Sequence, residues 1–271
     1  MVVSKDGLGD RQKFYERQYS GMKLLNLIPV CARVDGRAFH TFTRGLKRPY
    51  DSRLSDLMLE TTRFLVHETN ANIGYVQSDE ISLVWYTPKM EEMLFFDSKL
   101  LKMTSMLASM TSVYFNRRLP EFLPEKADAM PLFDCRVWNV PTLEEAGLYL
   151  LWREQDATRN SISMAAQAYY SHKELHGVSS SKKLDLLHAK GVNWNTYPEY
   201  FRRGSYVQRK SVERAFTVEE LEKLPLKHEA RINPDLKIKR QDVLTLSLPP
   251  LSKISNRVDT LFFGHEPLTW A

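Results

Sequence analysis

Two carboxylates, Asp35 and Asp79, have the side chains and the neighbours expected of a divalent-cation site. Asp35 follows the apolar run 30–34, and Asp79 lies in the polar centre of "YVQSDEISLVW" (75–85). Mg²⁺ prefers hard oxygen ligands, and Gly36 has no Cβ that would keep a metal from its backbone carbonyl. Two such ions could stabilise the attacking and leaving oxygens of a phosphoryl transfer. Spacing alone equally fits an alternative in which Asp35 begins a turn and Asp79 lies in a solvated hairpin.

Four polar side chains adjoin these acids or open the next predicted helix: His40, Ser78, Glu80 and Lys99. A lysine at a helix start can meet a triphosphate as a point charge, although lone lysines are mostly solvated. His40 fits a residue that stacks on a base and a structural histidine equally well. Glu80 fits a third acid near the metals or a residue that faces solvent. The segment "RAFHTF" (37–42) supplies backbone N–H groups in a turn, which suits phosphate binding.

A second segment, "YFRRGSYVQRK" (200–210), interleaves cationic and aromatic side chains. Cationic side chains bind phosphates and aromatic rings stack on unpaired bases, so the segment suits a nucleic-acid partner. The same pattern fits a solvated strand whose aromatic residues lie in the core. The cationic members are Arg202, Arg203, Arg209 and Lys210.

The periodicity of apolar residues predicts the elements that position these groups. The predicted order is a helix over 11–26 capped by Asp10, a strand over 30–34, a helix over 52–69, two strands within 72–86, a helix from 96 to 114 and a strand within 132–141. The β-α-β-β-α-β order over 29–141 predicts an α+β fold of the ferredoxin-like type. Polymerase palms and nucleotide cyclases share this arrangement, so the fold alone does not give the function.

The pattern changes after Pro141, which we take as the boundary between two regions, 1–141 and 142–271. In the second region we expect a helix within 142–175, a short helix over 183–190 and a strand over 202–210. Thr217 and Glu220 form the T-x-x-E pattern of a helix capping box.

Composition sets broad limits on the class of protein. The net charge of +5 and the pI of about 9.0 permit a nucleic-acid partner without demonstrating one. No run of about 18 apolar residues is present, so we expect no membrane span. The charged segment 1–18 lacks the apolar core of a signal peptide, and Cys31 and Cys135 both lie in apolar runs that predict buried free thiols. We therefore expect a cytoplasmic protein.

Several segments together resemble the tRNA-His guanylyltransferase superfamily of 3′-to-5′ nucleotidyltransferases in order and spacing. They are "RVDGRAFHTFTRGLKRPYD", "YVQSDEISLVW", "DSK" (97–99), "FDCRVWNVP", "LWREQD" and "FRRGSYVQRK". The resemblance covers about residues 10–210, and "LGDRQKFYE" (8–16) is similar to the bacterial-type branch. Arg-x-Asp-Gly-Arg followed later by Ser-Asp-Glu is specific as a combination, although each part is weak alone.

The resemblance implies a polymerase palm with two Mg²⁺ ions held by Asp35, the Gly36 carbonyl and Asp79, and with Glu80 as a further candidate acid. It implies that Ser78 and Lys99 contact the triphosphate of the incoming nucleotide. The further nucleotide contacts expected are Arg37, Phe39, His40, Arg48 and Asp51.

The same resemblance implies the substrates. Family members add a nucleotide to the 5′ end of a tRNA: ATP adenylylates a 5′-monophosphate end, or the 3′-hydroxyl of the incoming NTP, such as GTP, attacks a 5′-triphosphate directly. Region 142–271 is then expected to complete the site and bind tRNA, and the family is typically homotetrameric.

Two departures from the family pattern bear on the substrate. Eukaryotic members carry a His-Ile-Asn-Asn motif, linked to recognition of the His tRNA, where this chain has Thr158, Arg159, Asn160 and Ser161. This difference is typical of bacterial and archaeal members that resemble template-dependent repair enzymes. Basic residues common in the family are replaced at 95–97 by Phe-Phe-Asp, so we expect some triphosphate contacts to be weaker or to come from elsewhere, with Arg202 and Arg203 as candidates.

The leading hypothesis is therefore a Mg²⁺-dependent, template-directed 3′-to-5′ nucleotidyltransferase that acts on truncated tRNA. The first alternative is addition of a single 5′ guanine to the His tRNA. More remote alternatives are a palm-type nucleotide cyclase, which needs no RNA, and a non-catalytic RNA-binding protein.

Overall fold

A six-stranded antiparallel sheet with helices on both faces forms the framework of the computed structural model, which describes residues 7–233 and 235–270. The strand order is β4-β1-β3-β2-β5-β6. The strands are β1 (Val30–Gly36), β2 (Ile73–Gln77), β3 (Glu80–Trp85), β4 (Phe133–Asn139), β5 (Ser205–Ala215) and β6 (Lys237–Leu246). The helices are α1 (Gly7–Ser20), α2 (Phe39–Phe42), α3 (Ser52–Thr69), α4 (Leu100–Phe122), α5 (Leu143–Gln167), α6 (His172–Leu175), α7 (Ser180–Ala189), α8 (Glu199–Arg203), α9 (Val218–Lys223), α10 (Glu229–Ile232) and α11 (Arg257–Phe263).

The predicted β-α-β-β-α-β order is confirmed by β1, α3, β2, β3, α4 and β4. Helix α3 has the predicted bounds: its N-cap Asp51 accepts a bond from the Arg53 N–H, and Asn70 ends it in the left-handed conformation (φ 55°). One face of the sheet packs on α3 and α4, and the apolar residues of β1 that point there are fully buried. The fold class is therefore α+β with a ferredoxin-like, polymerase-palm arrangement.

The predicted boundaries of two helices are wrong. The first helix is α1, so Asp10 lies inside its first turns rather than at its cap. Its predicted end fails because residues 22–24 leave the helix and bond to the start of α4, where the Leu24 N–H donates to the Ser98 carbonyl over 2.8 Å. The helix predicted from residue 96 begins at Leu100, because Phe96 and Asp97 adopt left-handed conformations (φ 50° and 54°) in a tight turn.

The second region, 142–271, extends the same sheet. Strand β5 hydrogen-bonds to β2 through residues 205–208 and then continues with β6 as a two-stranded ribbon. The strand predicted over 202–210 is wrong at its start, because 202–203 end α8 and Gly204 (φ 78°) turns the chain into β5. The helical stretch predicted within 142–175 is observed as α5 and α6, with a break at 168–171, and α7 corresponds to the helix predicted over 183–190. The predicted capping box is present at the start of α9. The proposed boundary at 141 stays a prediction.

A second apolar cluster lies on the opposite face of the sheet, where α5 and α11 pack. Cys31 and Cys135 are both buried and unpaired, as predicted. Within the described residues, none of the helices combines the length and the apolar character needed to cross a bilayer.

Candidate active site

Asp35 and Asp79 meet at one end of the sheet. Strand β1 continues to Gly36, so Asp35 lies within the strand and does not begin a turn. Asp79 lies in the two-residue connection between β2 and β3, and its carbonyl accepts a bond from the Gly36 N–H over 3.1 Å. In the register of the sheet, Asp35 pairs with Glu80 of β3. The strands therefore bring Asp35 next to Asp79 and Glu80, two consecutive acids that lie far from it in the sequence.

The turn that carries Asp79 has a strained conformation. Ser78 is left-handed (φ 53°), which is uncommon for a residue with a Cβ. Burial raises the pKa of the Asp79 carboxyl, and the charge of Asp35 adds to that shift, while bonds from the Ser78 side chain and the Asp79 N–H oppose it. A carboxylate that is partly buried beside another acid is stabilised by a nearby cation.

The turn after β1 is built on an aromatic core. A Cβ at residue 36 would lie 2.3 Å from the Phe39 ring, so only glycine fits this close packing. Phe39 is 4% exposed and lies against Phe42, Phe115 and Phe133. Its role as a nucleotide contact stays a prediction: the ring packs in the core, and Phe39 is also among the residues that line the pocket.

A cavity of about 740 Å³ opens beside the acid pair. This volume lies in the range of small-molecule sites. One wall comes from the 36–51 segment and the Ser78–Asp79 turn, and the facing wall comes from α5 and α8. The predicted site residues among its lining are Gly36, Phe39, His40, Arg48, Asp51, Ser78 and Asp79. Asp35 directly precedes the lining residue Gly36 in β1. Arg37, which directly follows Gly36, is exposed, and its backbone N–H donates to the Leu132 carbonyl.

Asp51 has a structural partner. Its carboxylate caps α3, and it accepts bonds from the Arg53 guanidinium over 2.8 and 3.0 Å. The Arg53 side chain lowers the Asp51 pKa to about 2, against the opposing effect of burial. Asp51 therefore shapes the cavity wall as an ion-paired cap. The lysine and arginine residues on the same wall are Arg44, Lys47 and Arg48, and all three are exposed.

Glu80 is also engaged. Its two carboxylate oxygens accept bonds from the Arg153 guanidinium over 2.6 and 2.8 Å. Burial raises the Glu80 pKa, and Arg153 opposes that shift. The expectation that Glu80 faces solvent is wrong, and its use as a free third acid stays a prediction that the ion pair opposes.

The structure does not bring Lys99 to this cavity. Lys99 forms a backbone bridge with Lys23, and the neighbouring Ser98 hydroxyl bonds to Asn26, in the segment that leads into the start of β1. The acid pair lies at the other end of that strand, about 20 Å away at the usual rise per residue. Within one chain, Lys99 is therefore too distant to touch a triphosphate held beside Asp79.

Arg202 and Arg203 are likewise outside the cavity. They line a separate depression on the far side of α8, where the Arg202 guanidinium lies 5.4 Å from the Trp194 ring centroid. Arg203 is ion-paired with Glu199 over 2.8 Å. Tyr200 and Phe201 of α8 line the cavity whereas both arginines line this depression, so their triphosphate contacts stay a prediction that the geometry of one chain opposes.

Several residues that line the cavity were not predicted from sequence patterns. Tyr50 stacks on Phe201, with centroids 4.6 Å apart, although 151 positions of chain separate them. Met164 and Gln167 reach the cavity from the last turns of α5. Only the packing of α5 and α8 against the 43–51 loop places these residues at the site.

Comparisons with known proteins agree with this geometry. A sequence profile described as tRNAHis guanylyltransferase matches residues 9–141. The tRNA(His) guanylyltransferase of Schizosaccharomyces pombe is 28% identical over 214 residues, which is 73% of this chain and 80% of that protein.

Two solved bacterial structures are similar over most of the chain. A bacterial tRNA(His) guanylyltransferase-like protein in complex with ATP has 37% identity and a TM-score of 0.70, covering 75% of this chain and 87% of that one. A bacterial protein of the same description in complex with GTP has 31% identity and a TM-score of 0.71, covering 92% of this chain and 95% of that one.

Proposed function

This chain belongs to the tRNA(His) guanylyltransferase family of nucleotidyltransferases, and we propose that it extends the 5′ end of truncated tRNA in the 3′-to-5′ direction, using a template and Mg²⁺. The observation that carries the proposal is the meeting of Asp35 and Asp79 beside a cavity with cations on its wall. The solved relatives that bind ATP and GTP support nucleoside triphosphates as substrates.

The residues at the acid pair fit a magnesium site. The donor set is two carboxylates and a backbone carbonyl, all hard oxygens of the kind that Mg²⁺ prefers. The raised pKa of Asp79, which burial and Asp35 cause, is the electrostatic situation that a bound cation relieves. Among the residues that the structure describes, no group of three or more His, Cys, Asp or Glu side chains is arranged to hold a metal. The proposed ligand set contains only two such side chains, Asp35 and Asp79, together with the Gly36 carbonyl.

The chain's own residues then divide the work of the reaction. Asp35 and Asp79 hold the cations, which when bound would stabilise charge on the attacking 3′-oxygen and the leaving pyrophosphate. Ser78 places a hydroxyl at the cavity beside Asp79, and Arg48 supplies a cation for phosphate oxygens. Tyr200, which lines the cavity and is only partly buried, supplies a ring on which a base can stack.

The segment that replaces the eukaryotic His-Ile-Asn-Asn motif favours repair over guanine addition. Ser161 is buried, and its hydroxyl donates to the Arg202 carbonyl over 3.1 Å and accepts from the Trp194 indole over 3.2 Å. Asn160 bonds to Asp156 on the same helix. Ser161 therefore anchors α8 to α5, where eukaryotic members carry an asparagine, so single guanine addition to the His tRNA is the second candidate.

The deciding experiment offers the protein a 5′-truncated tRNA with each of the four templating bases, together with all four NTPs. Template-directed repair predicts that the added base follows the opposing base. Addition of guanine alone, whatever the template, would contradict the repair proposal and support the second candidate. Incubating the protein with NTP and no RNA tests the cyclase alternative. Asp79→Asn tests the alternative of a non-catalytic RNA-binding protein, because this variant should bind tRNA but transfer no nucleotide. A tetramer and a cytoplasmic location remain predictions, the first to be checked by light scattering.

A further inference from the structure

The segment "LWREQD" (151–156) carries charged side chains that the proposed reaction does not use. It lies in the middle of α5, on the sheet face that carries Asp35. One turn earlier, the Tyr149 hydroxyl lies 2.8 Å from that of Ser82 on β3, which fixes the rotation of the helix over the strands. Residue 153 therefore also faces the sheet, because positions four apart share a helix face.

Arg153 is held on all sides. Its side chain is 7% exposed, and its guanidinium donates to both oxygens of Glu80 over 2.6 and 2.8 Å. A second carboxylate, Asp156, lies 3.2 Å away, and the Trp152 ring covers the guanidinium at 4.5 Å. Such a two-point contact sets the orientation of the Glu80 carboxylate as well as balancing its charge.

Glu80 is the residue whose orientation bears on the acid pair. It follows Asp79 directly in the chain and lies opposite Asp35 in the register of β1 and β3. Like charges opposite each other on neighbouring strands destabilise a sheet. Without Arg153, Glu80 would be a partly buried carboxylate with only Arg33, 3.9 Å away, as a cationic partner.

We propose that Arg153 is a positioning residue for the acid pair: by binding Glu80 it keeps that carboxylate out of the cation site. The inference rests on the proposed function, because it concerns the same cation site. Arg153 touches neither the reacting atoms nor the cavity lining.

The test uses the full chain with Arg153→Met, Glu80→Gln and the double variant. We expect Arg153→Met to lower kcat about 10- to 100-fold, the usual effect of removing a partner of a metal-site residue, with KM for tRNA little changed. Glu80→Gln removes the charge that needs balancing, so the double variant is expected to recover most of the lost kcat. The dissociation constant for Mn²⁺, measured by electron paramagnetic resonance without nucleotide, is expected to change at least fivefold in Arg153→Met. In the double variant it is expected to return towards the wild-type value.

Arg118→Met is the matched control, because Arg118 makes a 3.0 Å pair with Glu121 on the surface of α4. Arg153→Lys, which keeps the charge but loses the two-point contact, covers the case in which the methionine variant does not fold. Unchanged Mn²⁺ binding in Arg153→Met or Arg153→Lys would overturn the inference, as would a double variant no better than Arg153→Met. If the wild type binds Mn²⁺ but transfers no nucleotide to tRNA, the proposed function fails while the Mn²⁺ comparison still tests Arg153.

Discussion

Replacing Gly36 with alanine perturbs the packing that supports the acid pair. A Cβ at this position would lie 2.3, 2.5 and 2.8 Å from three ring atoms of Phe39. The ring cannot simply move away, because Phe42, Phe115 and Phe133 surround it at centroid distances of 5.0, 5.8 and 5.1 Å. We expect Gly36→Ala to lower the free energy of unfolding by about 1–3 kcal/mol, the usual cost of overpacking a core.

The assay is urea unfolding without metal or nucleotide, with Gly147→Ala as the matched control. Gly147 lies inside α5, and nothing lies within 4 Å of a Cβ built there. Alanine is favoured over glycine in a helix interior by about 0.5–1 kcal/mol, so this control is expected to gain stability. The same substitution should therefore have opposite signs at the two positions.

A second substitution tests whether the loss of stability comes from contact with the Phe39 ring. Phe39→Leu removes ring atoms next to residue 36, so the pair Gly36→Ala with Phe39→Leu should be more stable than the sum of the single losses predicts. Nucleotide transfer should also fall in Gly36→Ala. A shift of residue 36 away from the Phe39 ring would displace its backbone N–H, which donates to the Asp79 carbonyl. The reasoning is refuted if Gly36→Ala is as stable as the wild type, or if the losses of the two variants simply add.

The remaining predictions concern the charges of the cavity. Burial and Asp35 raise the pKa of Asp79 above 3.8, so the folded state holds its proton longer than the unfolded state and the wild type loses stability as the pH rises from 3.8 through the folded pKa. The stability of metal-free Asp79→Asn relative to the wild type should therefore grow over that window and stay constant above it; thermal unfolding at several pH values checks this, and a constant difference would contradict it. Mg²⁺ is expected to raise the Tm of the wild type but not of Asp79→Asn, because binding to the folded state alone stabilises it; equal shifts would argue against Asp79 as a ligand. Arg48→Ala should weaken ATP binding by about tenfold or more, because a hydrogen bond to a charged group contributes about 1.5–3 kcal/mol. Lys99→Ala should leave ATP affinity within about twofold, since no such bond is lost. Calorimetry with each variant measures both affinities, and the reverse order would show that Lys99 holds the triphosphate.

Much of the framework was predictable from the sequence. Helix α3 was predicted with its observed bounds, and the hairpin that carries Asp79 was predicted from two apolar arms around a polar centre. Both signals are local, because side-chain periodicity and turn chemistry act over a few residues. The order of these elements also predicted the ferredoxin-like arrangement, and with it the approach of Asp35 to Asp79.

The partners of the charged residues were not predictable in the same way. Glu80 is held by Arg153, which lies 73 positions further along the chain. Arg202 lies in α8 and lines a second depression, whereas Tyr200 and Phe201 of the same helix line the cavity. Lys99 was predicted at the triphosphate but lies at the opposite end of β1.

The sequence by itself therefore determined which elements form and which acids they carry, since these follow from local patterns. Only the tertiary structure decided which charges are free and which are paired, because that depends on strand register, on the rotation of α5 and on the end of the sheet at which each connection lies.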